Sequence, residues 1–114
     1  MPKFLLIASM DVESDKEDLF NEVYDMEHIP GILKVPGVIS VERYQSQPMK
    51  MHFGGQLQDM DVSAEPAYTA IYEIEGLEVL ATEEWGAAVE AGRWPGEVRP
   101  FTSNRQFALR KIME

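Results

Sequence analysis

Phe4-Leu5-Leu6-Ile7-Ala8 is the stretch that decides the fold. It is an unbroken apolar run, bounded by Pro2 and by the polar segment from Ser9, and its length suits a strand buried on both faces. Downstream, Ser14-Asp15-Lys16-Glu17-Asp18 offers a capping side chain and early carboxylates, as the positive end of a helix dipole prefers. Leu19, Phe20, Val23 and Tyr24 then follow at the spacing of a helix with one buried stripe. Pro30-Gly31 is expected to end that helix, with a short helical turn at residues 32–34 before Pro36-Gly37.

Residues 38–45 (VISVERYQ) are β-branched and increasingly polar, which predicts an edge strand. Residues 67–74 (AYTAIYEI) form a stronger strand, with Tyr68, Ala70, Tyr72 and Ile74 on one face by the period of two. Residues 46–66 between them are too long for a tight turn and are read as a loop, either a pliable apolar flap built on Met49, Met51, Phe53 and Met60 or a disordered insertion. Thr82 is placed to cap a second helix through Trp85 and Val89, stopped at Gly92, and a last strand is expected over 106–112. The order β-α-β-β-α-β predicts a single α+β domain over residues 1–114 with the ferredoxin-like arrangement and an antiparallel sheet. That geometry puts the two most apolar strands in the centre. Two helices cover only one sheet face, so the two-faced first strand predicts a homodimer packed through its sheet faces.

Composition narrows the function. The 114 residues carry 10 Lys and Arg against 20 Asp and Glu, a formal charge of −10, which argues against a nucleic-acid partner. The absence of cysteine removes disulfides, zinc fingers and thiol nucleophiles together. No apolar run is long enough to span a bilayer, and the run at 4–8 is too short for a signal peptide, so no membrane partner and a cytoplasmic location are expected. With 2 histidines and no carboxylate cluster, no metal site is expected. Neither a P-loop nor Gly-x-Gly-x-x-Gly is present, so no cofactor is expected.

The segment Tyr24-Asp25-Met26-Glu27-His28-Ile29-Pro30 carries the chemistry. Phe20, Tyr24 and His28 stack at four-residue intervals, and Asp25 lies three residues before His28. Two readings stand side by side. His28 is an imidazole oriented by Asp25 in an apolar cleft and exchanging protons near neutral pH, or it closes the helix C-terminus against a backbone carbonyl. Tyr24, Tyr44, Tyr68 and Tyr72 are phenols on elements bordering that cleft, able to polarise a carbonyl or hold an enolate oxygen. The small Ala70 between two tyrosines predicts that Tyr68 and Tyr72 face His28. Trp85 and Trp94 are either pocket walls or core anchors, and Arg43 and Arg105 either grip a carboxylate or pair at the surface.

Tyr-Asp-x-x-His-Ile-Pro at 24–30, Val-Pro-Gly-Val at 35–38 and Arg43-Tyr44 resemble the EthD-like branch of the dimeric α/β-barrel proteins. So do Tyr68 to Tyr72, Trp85 and Gly92-Arg93-Trp94-Pro95. The resemblance covers the chain apart from residues 47–65. It implies a dimeric ferredoxin-like barrel with His28 at the family's histidine position. The superfamily includes lyases, cyclases, isomerases, cofactor-free monooxygenases and haem proteins, so the likeness implies fold and dimer more sharply than chemistry. The reading is therefore a lyase, isomerase or cyclase acting on a small apolar or aromatic carbonyl compound. His28 and Tyr72 would be catalytic, and Tyr24, Tyr44, Tyr68, Trp85 and Arg43 would bind substrate. The alternative is a ligand-binding or stress-associated barrel without catalysis.

Overall fold

A computed structural model describes residues 3–113. Strand β1 (Phe4–Val12) lies between β5 (Tyr68–Ile74) and β6 (Thr102–Lys111), and β2 (Val38–Gln45) closes the other edge. The sheet order is β2-β5-β1-β6 and every pairing is antiparallel. With helices on one face, this is the ferredoxin-like βαββαβ fold, and its centre is made of the two most apolar strands.

Alternation sets the core. Ala8 and Met10 of β1, with Ala70, Tyr72 and Ile74 of β5, are buried against the helices, where they meet Phe20 and Val23. The opposite face carries Leu5, Ile7, Thr69 and Ile71, which are half-buried among their sheet neighbours. No helix among the described residues is long and apolar enough to cross a membrane.

Helix α1 (Glu17–Val23) runs through a π-helical turn at Tyr24–His28 into α2 (Ile29–Ile32). It therefore continues past Pro30 rather than ending there. The π turn already disrupts the regular ladder (the Ile29 N–H reaches back to the Tyr24 carbonyl), and proline at the start of the next turn has no donor to lose. No side chain caps the entry to α1, contrary to the expectation at residues 14–18. Helix α3 (Glu83–Val89) is capped as its sequence suggests, the Trp85 N–H donating to Thr82 Oγ1 at 3.1 Å.

The segment read as a loop at 46–66 contains a hairpin, β3 (Met49–Phe53) paired with β4 (Gln56–Met60). Gly54 and Gly55 turn it with φ of +65° and +84°, the pair of left-handed residues that a two-residue hairpin turn needs. β6 starts at Thr102, earlier than expected, and carries a bulge. Ser9 pairs with Gln106 but Asp11 with Ser103, and the extra residue is accommodated where Asn104 takes φ +50°.

Candidate functional site

His28 is buried with 8% of its surface exposed, and its Nδ1 has no hydrogen-bond partner among the described residues. Both sequence expectations for its partner are corrected. Asp25 does not orient it: the wider i→i+5 turn swings Asp25 away, to an exposed position where it accepts from Arg43 Nη1 at 2.9 Å. Nor does a backbone carbonyl take its proton, because the chain continues helically past it. The imidazole instead stacks on Trp94, with centroids 4.7 Å apart and planes at 25°, and meets the Tyr24 ring edge-on at 5.0 Å.

Trp94 arrives there on a second π turn, Trp94–Val98. Glu27 fixes its approach by accepting from both the backbone N–H (3.0 Å) and Nε (2.5 Å) of Arg93, while Glu22 pairs with the same guanidinium at 2.9 Å. Gly92, at φ +68°, lets this connection pass against Glu27. Two irregular turns are thus tied together by one arginine, and their contact places an indole against the imidazole.

Across the site the Tyr24 and Tyr72 hydroxyls lie 2.6 Å apart, both buried. One phenol donates to the other, which leaves the acceptor's own proton for a third group. Trp85 packs edge-on against Tyr72 at 5.7 Å. Arg43 lies behind this pair, its guanidinium 4.7 Å from the centre of the Tyr24 ring.

These groups surround a cavity of about 390 Å³. Its walls are apolar: Leu6, Ala8 and Met10 from β1, Leu80, Trp85 and Val89 from α3 and the turn before it, and Trp94 and Phe107. The polar groups that reach it are His28, Tyr24, Tyr72, Arg99 and Arg105. Few, convergent polar groups in an apolar hollow of this volume are the usual form of a small-molecule site.

The electrostatics follow from burial. Desolvation, with a smaller contribution from the Arg99 charge, pulls the His28 pKa from 6.5 to about 4. His28 is therefore neutral at physiological pH, which corrects the expectation of proton exchange near pH 7 in the free protein. Burial, reinforced by the neighbouring phenol of Tyr24, pushes Tyr72 well above the usual phenol range, with Arg43 working against it. Tyr24 is also raised by burial, against the opposing pull of the Tyr72 hydrogen bond and Arg43. Both phenols are donors here, and neither is a base.

Of the residues singled out from sequence, His28, Tyr24, Tyr72 and Trp85 come together around this cavity. Tyr68 is on the same sheet face but not in the cavity: it packs on Phe20 at 5.0 Å and donates to Glu17 Oε2 at 2.7 Å. Arg43 also faces the helices, yet it is held by Asp25 and, at 2.7 Å, by Asn21 Oδ1. Tyr44 is a correction of face. A bulge in β2 between Val38 and Ser40 puts Val41 and Arg43 toward the helices and Tyr44 on the opposite side, 49% exposed and bonded to Glu42. The expected flap at Met49–Met60 lines no part of the cavity. Sequence reasoning missed Arg99 and the closeness of Trp94 to His28. Both depend on the second π turn, which has no periodic signal.

The fold and cavity together define an α+β protein of the ferredoxin-like class with a helix–sheet cleft. Solved structures share that architecture over the whole chain. One, described only provisionally as an antibiotic biosynthesis monooxygenase from Bordetella bronchiseptica, has 16% identity, covers 100% of both chains and gives a TM-score of 0.70. An ethyl tert-butyl ether degradation (EthD) family protein from Bacillus halodurans has 15% identity over 97% of this chain and 99% of its own, at 0.61. A variant of MhuD with two manganese protoporphyrin IX molecules bound per active site has 12% identity over 97% and 93%, at 0.55. At these identities the likeness establishes the fold. No protein-family model and no curated protein matches the sequence.

Proposed function

We propose that the chain binds a small, mostly apolar or aromatic carbonyl compound in this cavity and moves a proton on it without a cofactor. The reaction would be that of a lyase, isomerase or cyclase. The supporting observation is the buried His28 imidazole lining the cavity beside a phenol pair whose spare proton has no other acceptor among the described residues. In this reading Tyr72 donates to the carbonyl oxygen, with Tyr24 and the Arg43 charge behind it stabilising developing negative charge. His28, neutral above about pH 4, takes the proton from the adjacent carbon. Trp94 holds the imidazole plane, and the apolar walls exclude water from the pair.

The same reading includes a homodimer. Among the described residues the sheet face carrying Leu5, Ile7 and Ile71 has no covering layer of its own, and a second copy would supply one by the self-complementary packing of a two-fold dimer.

Acetophenone in D2O tests the catalytic part. The wild-type protein should exchange the methyl protons faster than buffer does, and His28→Ala should lower the protein-dependent rate by ~10²–10⁴-fold, the usual effect of losing an acid–base group. Quenching of Trp85 and Trp94, the chain's 2 tryptophans and both cavity residues, reports binding separately. Quenching without exchange would favour the non-catalytic, ligand-binding protein over the enzyme.

A further inference from the structure

Arg105 stands apart from the other cations of the cavity. Arg99 donates to Glu90 through both terminal nitrogens, at 3.0 and 2.6 Å, and to the Val89 carbonyl at 2.8 Å. Arg43, which lies behind the tyrosine pair and outside the cavity, is committed to Asp25 and Asn21. Arg105 lines the cavity yet has no carboxylate within ion-pair distance and no hydrogen bond among the described residues. Arg110 also lacks an acid among the described residues, but of the two only Arg105 lines the cavity.

Ordinary alternation aims it. Phe107 pairs with Ala8 on the helix face, and Arg105, two residues before it, shares that face. The β6 bulge lies just beyond, at Asn104, so that Thr102, an odd number of residues from Phe107, also lies on the helix face through its pairing with Val12. The Asn104 conformation is held from the side, its Nδ2 donating to Asp11 Oδ2 at 3.2 Å and to the Ala64 carbonyl at 3.3 Å.

Register locates Arg105 relative to the reacting pair. Tyr72 pairs with Leu6, whereas Arg105 directly precedes Gln106, the partner of Ser9. Three to four residues along the strands and two strand spacings across β1 put the two backbone positions about 15 Å apart. The guanidinium and the phenol–imidazole group therefore enter the cavity from different ends, with Ala8 and Phe107 between them.

We infer that the ligand is bifunctional: an aromatic or apolar carbonyl compound that also bears a carboxylate, which Arg105 receives at the cavity mouth. This deepens the cavity reading and rests on it. A guanidinium offers a planar fork that matches a carboxylate, and the exposed position of Arg105 leaves that fork open to a ligand. Arg105 would be a specificity-determining residue. It selects the anionic ligand and takes no part in proton transfer.

The test compares 4-acetylbenzoate with its neutral methyl ester, each titrated against the tryptophan fluorescence of the full chain. The acid should bind ~10-fold or more tightly than the ester, the range of a charge-assisted pair over a neutral contact. Arg105→Gln should bring the acid-to-ester affinity ratio down to about one, and Arg105→Lys should retain only part of the preference. Equal binding of acid and ester by the wild type, or a preference that survives Arg105→Gln, overturns the carboxylate assignment and leaves the cavity reading standing. Failure of either probe to quench overturns both.

Discussion

Replacing His28 by Phe should remove a specific pH dependence from the stability of the protein. The phenyl ring can keep the stack on Trp94 and has no nitrogen to leave unpaired. In the folded wild type the imidazole takes up its proton only near pH 4, whereas an unfolded histidine does so near 6.5. Between those values the unfolded chain binds a proton that the folded one refuses, so the stability held above pH 6.5 is lost as the pH falls toward 4. The linkage comes to about 2 kcal/mol at pH 5 and about 3 kcal/mol at pH 4. Carboxylates and His52 are common to both proteins and cancel in the difference. Urea unfolding at pH 7, 6 and 5, at one fixed protein concentration, measures it. The wild type should lose about 2 kcal/mol relative to His28→Phe between pH 7 and pH 5. Parallel stability curves would mean that the folded protein protonates His28 as readily as the unfolded chain, and the buried neutral imidazole would be refuted.

Tyr72→Phe leaves the buried Tyr24 hydroxyl without its partner and should cost about 1–3 kcal/mol in denaturant unfolding, with Tyr24→Phe added to it recovering part of the loss. Gly37→Ala should destabilise by more than about 1 kcal/mol in the same assay, because φ is +93° there and the added methyl would lie 2.5 Å from Val79 Cγ2. Sedimentation at micromolar concentration should show twice the 13.0 kDa chain mass, and Ile7→Lys on the open sheet face should shift it to the single chain. A proton-exchange rate on acetophenone should fall on the acid side only near pH 4, where His28 protonates, and a fall centred between 6 and 7 would contradict the assigned base.

The sheet was legible because its signals are local. An apolar run of β1's length belongs in the centre of a sheet, and the alternation at 68–74 identifies which side chains of β5 meet the helices. Thr82 announced α3 by itself. The hairpin at Gly54-Gly55 was also announced, by two glycines in a short turn and by Met49, Met51 and Phe53 alternating before it; length alone misdirected the reading. What sequence did not disclose are four departures from periodicity: the π turns at Tyr24–His28 and Trp94–Val98, and the bulges in β2 and β6. Each inserts a residue that local propensity does not require and tertiary packing does. Together they take Asp25 from His28, bring Trp94 to it, turn Tyr44 outward and keep Thr102 on the helix face. The site is built at those irregularities, which is why its residue types were readable while its composition was not.

Nitrogen-15 NMR of the histidine rings tests the central claim most directly, since it reports the protonation and hydrogen bonding of His28 in the free protein and with acetophenone present. The account predicts a His28 imidazole that stays neutral down to about pH 5, titrates near 4, and shifts when the ketone is added, while the exposed His52 is indifferent to the ketone. A His28 that titrates between pH 6 and 7 and does not respond to the ketone would contradict it.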